Sequence, residues 1–362
     1  MPESAYWLAF SLVPLIGTRR FHLLLRAFGS AASAWHAGER ELREAGLDAR
    51  ATASVLTVRA RLDLDAELRK IERAGARMLT SLDDEYPPLL RHVDDAPIVL
   101  YIRGKLTPAD ERALAVVGTR RASTYGKDIA HQFSRQLAEH GITIVSGMAH
   151  GIDAAAHMGA LEAGGRTIAV LGCGVDRIYP SDHRALAARI TESGALLSEF
   201  PMGSRPEAKH FPRRNRLLSG ISLGVLIVEA PLRSGALITA SHAAEQGREV
   251  FAVPGSIHQP GSEGTHALIQ EGAKLAHRVD DILDELNIVH EGAQSRAAAE
   301  RLAPGDEIEA LLLESLSREP LHIDDLARHT GLPIATVSSI LTILELKGLA
   351  RMVGHMQYCL TA

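Results

Sequence analysis

The feature that most constrains this chain lies between about residue 97 and residue 255. There, short continuous apolar runs alternate with longer stretches of helical character. The runs are Leu114–Val117, Thr143–Ser146, Thr167–Leu171, Ala195–Ser198, Val225–Val228 and Val250–Val253. A strand with one wet face alternates apolar and polar residues, whereas a strand buried on both faces reads as an unbroken apolar run. Runs of this kind separated by helices predict an α/β fold, a Rossmann-like, doubly wound and mostly parallel sheet with helices on both sides. In such a sheet the ligand site is expected at the carboxyl ends of the strands.

The flanks read differently. Residues 1–80 are expected to form an all-helical domain. Leu8, Leu12 and Leu15 recur at helical spacing, Leu23, Leu24, Leu25 and Phe28 follow a turn at Gly17, and a further helix spans Leu62 to Ile71. The Rossmann-like domain is assigned to 81–289. Residues 290–305, rich in Ala, Gly, Gln and Arg and without apolar period, predict a linker. From 306 to 362 come helices at Ile308–Leu316, Ile323–His329 and Ile334–Leu346, then a hairpin of Ala350–Val353 and Gln357–Leu360. Helix, helix-turn-helix and hairpin in that order make a winged helix.

Composition narrows the setting. Two cysteines, Cys173 and Cys359, supply no disulfide framework, which favours a reducing, cytoplasmic location. The apolar stretch Tyr6–Ile16 is broken by Ser11 and Pro14 and carries its cations, Arg19 and Arg20, on the wrong side for a secretory signal. It is also too short to cross a membrane, so no membrane partner is expected. The net charge of −5 does not announce a nucleic-acid binder, so any such site must come from locally clustered cations.

Cations do cluster where the fold places ligands. The first run ends in Val117-Gly118-Thr119-Arg120-Arg121, and a helix is expected from about Tyr125. A strand feeding a glycine turn before a helix aims backbone N–H groups at an anion. Ser146-Gly147 after the second run, and Ser234-Gly235 before a later helix, are further candidates for a phosphate loop. The densest cluster runs from Arg205 to Arg216. Arg205, Lys209, Arg213, Arg214 and Arg216 stand against the single acid Glu207, with His210 and Phe211 between them. Cations for phosphates and a ring for base stacking are what single-strand binding requires.

Other chemistry is less well supported. Gly172-Cys173-Gly174-Val175-Asp176-Arg177 opens like a dinucleotide fingerprint, but Arg177 stands where the third glycine belongs. No Gly-x-x-x-x-Gly-Lys-[Ser/Thr] loop occurs, and no cofactor is expected. Cys173 lacks a base partner and reads as an inert buried thiol. His150, Asp153 and His157 share one helical face, yet their spacing is wider than the usual metal pair and no fourth ligand is in view, so neither a metal nor a catalytic residue is assigned.

Together these segments resemble the DNA-processing protein A (DprA/Smf) family. The resemblance rests on Val117-Gly118-Thr119-Arg120, Tyr125-Gly126, Ser146-Gly147, Gly151-Ile152-Asp153 through His157, Thr167 through Gly174, Tyr179-Pro180, Ser198-Glu199-Phe200-Pro201, Phe211-Pro212-Arg213-Arg214-Asn215-Arg216, Glu229-Ala230, Ser234-Gly235 and Val250 through Gly255. It is dense from about 85 to 290. The N-terminus is similar to that family's SAM-like or helix-hairpin-helix domain and the C-terminus, more loosely, to its winged helix. The resemblance implies a non-enzymatic protein that binds incoming single-stranded DNA in natural transformation, protects it, helps load the RecA recombinase, and forms a homodimer through the Rossmann-like domain. It also implies roles by position: Arg120 and Lys209 on phosphates, Phe211 under a base, and Arg213, Arg214, Asn215 and Arg216 completing a basic loop; Arg121, beside Arg120, is a further nucleic-acid-binding candidate. Two positions depart from the family's habit: His150 stands where arginine is common, and His183 where asparagine is often found.

A rival enzyme reading is a Rossmann-type nucleotide phosphoribohydrolase, whose signature places an acid after a Pro-Gly-Gly-x-Gly-Thr turn. Here Pro260-Gly261-Ser262-Glu263-Gly264-Thr265 is followed by Leu268 at the acid position, so the hydrolytic group is missing. The winged helix also departs from habit. Between 306 and 362 eight acids face four fixed cations, a balance of −4, which suits a protein partner or the protein's own other domains better than duplex DNA.

Overall fold

The computed structural model describes residues 1–288, 307–317, 320–346, 349–354 and 356–360. The linker expected at 290–305 lies outside the described residues. Two compact units are present, 1–288 and a C-terminal one.

The first unit opens with six helices: α1 (Glu3–Ser11), α2 (Thr18–Phe28), α3 (Ala31–His36), α4 (Glu39–Glu44), α5 (Ala49–Arg59) and α6 (Leu64–Arg73). Their starts are written locally, since Ser30, Asp48 and Asp63 each accept the backbone N–H three residues on. Trp7 and Trp35 bury against Phe10 and Phe21 in edge-on or tilted contacts. That core is not closed on itself. It continues into Tyr101, Ala169, Leu171 and Leu196 of the sheet, so the helices cover part of one sheet face.

The sheet has nine strands: β1 (Arg77–Leu79), β2 (Leu100–Gly104), β3 (Ala113–Val117), β4 (Thr143–Ser146), β5 (Thr167–Val170), β6 (Ala195–Ser198), β7 (Gly224–Ile227), β8 (Glu249–Ala252) and β9 (Lys274–Leu275). Their order is β1-β2-β6-β5-β4-β3-β7-β8-β9. From β6 to β9 every pairing is parallel. β1 and β2 extend the edge antiparallel. The connecting helices are α7 (Pro88–Arg91), α8 (Thr124–Glu139), α9 (Ile152–Glu162), α10 (Arg184–Ser193), α11 (His210–Gly220), α12 (Gly235–Glu245), α13 (Glu263–Gln270) and α14 (Asp280–Glu285).

The unbroken apolar runs are explained by burial on both sides. Leu114 and Val116 face the core under α8, α9 and α14, while Ala113, Ala115 and Val117 face the core under α11 and α12. All six expected strands form, to within a residue or so at their ends. β1, β2 and β9 were not foreseen, because two are very short and β2 follows proline-rich loop sequence.

In the C-terminal unit, α15 (Glu307–Ser315), α16 (Ile323–Thr330) and α17 (Ile334–Leu346) pack with a sheet of β10 (Leu321–His322), β11 (Ala350–Gly354) and β12 (Gln357–Leu360), ordered β10-β12-β11. Leu312, Leu326, Val337, Leu341 and Leu344 form its core. Gly331, left-handed at φ 69°, ends α16. Among the described residues, no helix is long and apolar enough to cross a membrane.

Candidate nucleic-acid interface

The helix after β3 crosses one face of the sheet and the helix after β7 crosses the other, which makes β3/β7 the switch point. A cleft of about 360 Å³ opens there. Gly118–Arg121, Ala149, Asp153, Phe211 and Arg214, and the turn through Arg233, Ser234 and Gly235 are among its walls. A second hollow, about 270 Å³, lies elsewhere, and its lining includes Asp84, Glu85, Asp110 and Glu111, an unsuitable surface for phosphate.

One buried carboxylate organises the cleft. Glu229, at the end of β7, accepts hydrogen bonds from the backbone N–H and hydroxyl of Ser123, at 3.0 and 2.9 Å. Ser123 in turn caps α8 by accepting from the Gly126 N–H. A Cβ at Gly126 or Gly261 would stand 2.0 or 2.3 Å from a Glu229 oxygen, so both must be glycine for the acid to fit. The Thr119 N–H donates to the Glu229 carbonyl at 2.7 Å, which fixes the strand-to-helix loop. Gly151, at φ 80°, lets the loop after β4 pack backbone to backbone on Thr119 and Arg120.

That scaffold presents Arg120. Its guanidinium lies over the Phe211 ring, 4.7 Å from the centroid. Phe211 in turn sits on Gly172, where a Cβ would lie 3.0 Å from the ring, and leans against Tyr179 with centroids 5.8 Å apart. Arg120 and Arg121 are exposed, and Phe211 is half-buried. The result is a fixed cation beside aromatic surface at the mouth of a helix-terminus pocket. Ser234 caps α12 there, accepting from the Ala236 N–H at 3.2 Å. Gly118, Thr119, Ser234 and Gly235 all line the cleft.

The basic run needs correction. It is not a loop throughout, because α11 begins at His210 and is enclosed from Arg214 onward. Arg214 is buried and donates to the Val170 carbonyl at 2.6 Å. It fills the space above Gly147, where a Cβ would meet its guanidinium. It reaches solvent only as part of the cleft floor. Asn215 is buried and donates to the Gly235 carbonyl at 3.0 Å, tying α11 to α12. Arg216, also buried, pairs with Glu199 at 2.6 Å and Asp95 at 3.2 Å. Arg213 stays exposed but is held by Glu199 at 2.7 Å. Lys209 is exposed at the start of α11, paired with Glu207 at 2.9 Å and outside the cleft lining. Ser146 and Gly147 do not line it either. The Ser146 hydroxyl is buried and donates to the Val116 carbonyl at 2.6 Å. A run of arginines in sequence thus divides by helix phase into solvent-facing and interior groups, a division that charge counting cannot see.

The helical triad of His150, Asp153 and His157 is not assembled. His157 is fully buried, and Asp153 is buried below the cleft, where desolvation pushes its carboxyl pKa up against the opposing charge of Arg214. Cys173 is buried as expected. Burial pushes its thiol up to about 11, and Sγ donates to the Arg177 carbonyl. Sequence reasoning missed Tyr179, Arg233 and the organising Glu229. Tyr179-Pro180 and Glu229-Ala230 stood out as motifs, but only the fold shows what they touch.

Comparison with known proteins bears on the family and the fold. Residues 77–287 match the family described as DNA recombination-mediator protein A, and residues 296–354 the DprA winged helix domain. Protein Smf of Escherichia coli is 41% identical over 312 residues, 85% of this chain and 83% of that protein. The X-ray structure of DNA processing protein A from Streptococcus pneumoniae superposes with a TM-score of 0.69 at 36% identity, covering 78% of this chain and 97% of that one. The Helicobacter pylori protein, described as having a unique single-stranded DNA binding mode, matches at TM-score 0.53 and 30% identity, covering 59% of this chain and 95% of that one.

Proposed function

The chain belongs to the DNA-processing protein A (DprA/Smf) family, and on that premise we propose that it is a non-enzymatic recombination mediator that binds single-stranded DNA across the β3–β7 cleft. The observation that carries this reading is Arg120 resting on the Phe211 ring at the cleft mouth. The cation can meet a phosphate while the aromatic surface of Phe211 and Tyr179 offers a platform for a base, with little demand on sequence. Arg121 and Arg233 border the same cleft and add to its positive field. The helix start at Ser234-Gly235 supplies backbone N–H groups for a second phosphate. Arg214, Asn215 and Arg216 serve as supports beneath this surface, and Lys209 and Arg213 as its outer rim. The cellular role proposed with it is to protect incoming single strands in natural transformation and to help load RecA, as a cytoplasmic homodimer joined through the Rossmann-like domain; membership of the family supports this reading.

Charge and stacking are separable in one titration series. With about four to six phosphates contacted, log K should fall against log salt with a slope of roughly −3 to −4. Arg120→Ala should flatten that slope by roughly 0.7, whereas Phe211→Ala should cost roughly 1–3 kcal/mol and leave it nearly unchanged. A slope near zero for the unmodified protein would remove the electrostatic basis of the reading.

The winged helix is read as a surface for a protein partner or for the protein's own other domains, not for DNA. Its described surface exposes Ile334, Ile343, Met352 and Val353, and its acids outnumber its fixed cations. Truncation after Gly305 should leave single-strand affinity within about threefold, under roughly 0.7 kcal/mol. A tenfold loss with a folded remainder would place DNA on the winged helix instead.

A further inference from the structure

Two histidines that lie 33 positions apart meet at the carboxyl end of the sheet. His150 stands on the loop after β4, and His183 on the turn before α10, beside Asp182. One ligand atom from each of the three residues falls within 4.8 Å of the others. The imidazole rings are 4.8 Å apart at 74°, and His150 Nε2 lies 3.8 Å from Asp182 Oδ1.

We propose that His150, Asp182 and His183 form a binding site for a divalent transition metal of the zinc class. The first argument is donor chemistry. Two imidazoles and one carboxylate make a borderline donor set that suits Zn²⁺, Co²⁺ or Ni²⁺, not Mg²⁺ or Ca²⁺, which prefer oxygen alone, nor Cu(I), which prefers sulfur. The second is orientation. His183 Nδ1 lies 2.9 Å from the Met148 carbonyl, and a carbonyl can only accept, so Nδ1 carries a proton, which in the neutral imidazole leaves Nε2 its lone pair for a metal. A backbone carbonyl holding the far side of a ligating imidazole is the usual outer support of a metal site. Met148 is itself rigidly placed, buried and at φ 55°. The third is reach. Tetrahedral zinc with bonds of about 2.0–2.1 Å sets its ligand atoms about 3.3 Å apart, so separations of up to 4.8 Å must close by up to about 1.5 Å. His150 and Asp182 are exposed side chains and can rotate to do this. Three protein ligands leave a coordination position for water or an anionic oxygen.

The test is a calorimetric titration of the full chain with Zn²⁺ alone, repeated with Co²⁺ while its visible absorption is followed. With 17 histidines in the chain, stoichiometry and site-directed loss must both be read. The expected result is one saturable equivalent of Zn²⁺, weakened roughly tenfold or more by His150→Ala and by Asp182→Asn, with the Co²⁺ band lost in step. Both substitutions fall on exposed side chains, so the metal-free unfolding transition should stay where it is. Absence of saturable binding, or binding that both variants retain unchanged, would overturn the proposal.

Discussion

Replacing Glu199 with alanine is expected to destabilise the 1–288 unit by about 3–5 kcal/mol, the usual effect of removing one partner from a buried ion pair. The Glu199 side chain is 2% exposed and the Arg216 side chain 7%, and they meet at 2.6 Å. Among the described residues Arg216 keeps only the ion pair with Asp95, which is largely solvent-exposed, once the acid is gone. Its Nη1 is already buried with no hydrogen-bond partner among the described residues. Arg213 loses the same carboxylate, but it is mostly exposed and water can replace the bond. The expected signature is a lower urea midpoint at unchanged slope. Pairing Glu199→Leu with Arg216→Met should recover most of the loss, because a well-packed apolar pair removes the desolvation penalty of both charges. A loss under about 1 kcal/mol for Glu199→Ala would mean that Arg216 is not the interior group described here, and would return it to the DNA surface.

This result bears on how far the site was legible from sequence. The sheet was legible because its signal is local: Leu114–Val117 and its counterparts are short, mostly apolar runs separated by longer helical stretches, as doubly covered strands require. The cleft was legible to the level of its loops, since Gly118, Thr119, Arg120 and Ser234 lie where strand-to-helix turns must place them. Phe211 was legible as the aromatic ring inside a basic run. What could not be read was the direction of each arginine. Arg213, Arg214 and Arg216 are near neighbours in sequence, yet one faces water, one fills the cleft floor over Gly147, and one enters a buried ion pair. That partition depends on the phase at which α11 meets the sheet, which is a property of packing. Glu229 and the meeting of His150 with His183 were invisible for the same reason, because their partners are distant in the chain.

Acidification is expected to weaken the fold through His157, and the direction follows from its surroundings. His157 lies on α9, fully buried, with Nδ1 2.7 Å from the Thr167 hydroxyl oxygen. That hydroxyl already donates to the Ile144 carbonyl at 2.7 Å, so it must accept from the imidazole. The proton therefore sits on Nδ1, and Nε2 is a bare acceptor, buried without a partner. Protonating Nε2 would put a charge and an unsatisfied N–H into the interior. Burial, aided by the charges of His183 and Arg214, holds the pKa down at about 3 from an ordinary 6.5. Between those values the unfolded chain binds a proton that the folded chain does not, so stability falls as pH falls. The contribution is complete above the unfolded value of 6.5 and is lost progressively down to about 3. Over the whole window it amounts to ~4–5 kcal/mol at 1.36 kcal/mol per pH unit. Urea unfolding of the natural protein and of His157→Asn at pH 7 and pH 4 isolates the effect, because asparagine does not titrate. The stability gap between them should shrink by roughly 3 kcal/mol towards pH 4. A gap that stays constant would mean that the imidazole is protonated, or hydrated, in the folded state. Because α9 carries Asp153 and follows directly on the loop of Ala149 and His150, the same loss should loosen the cleft floor before the unit unfolds as a whole.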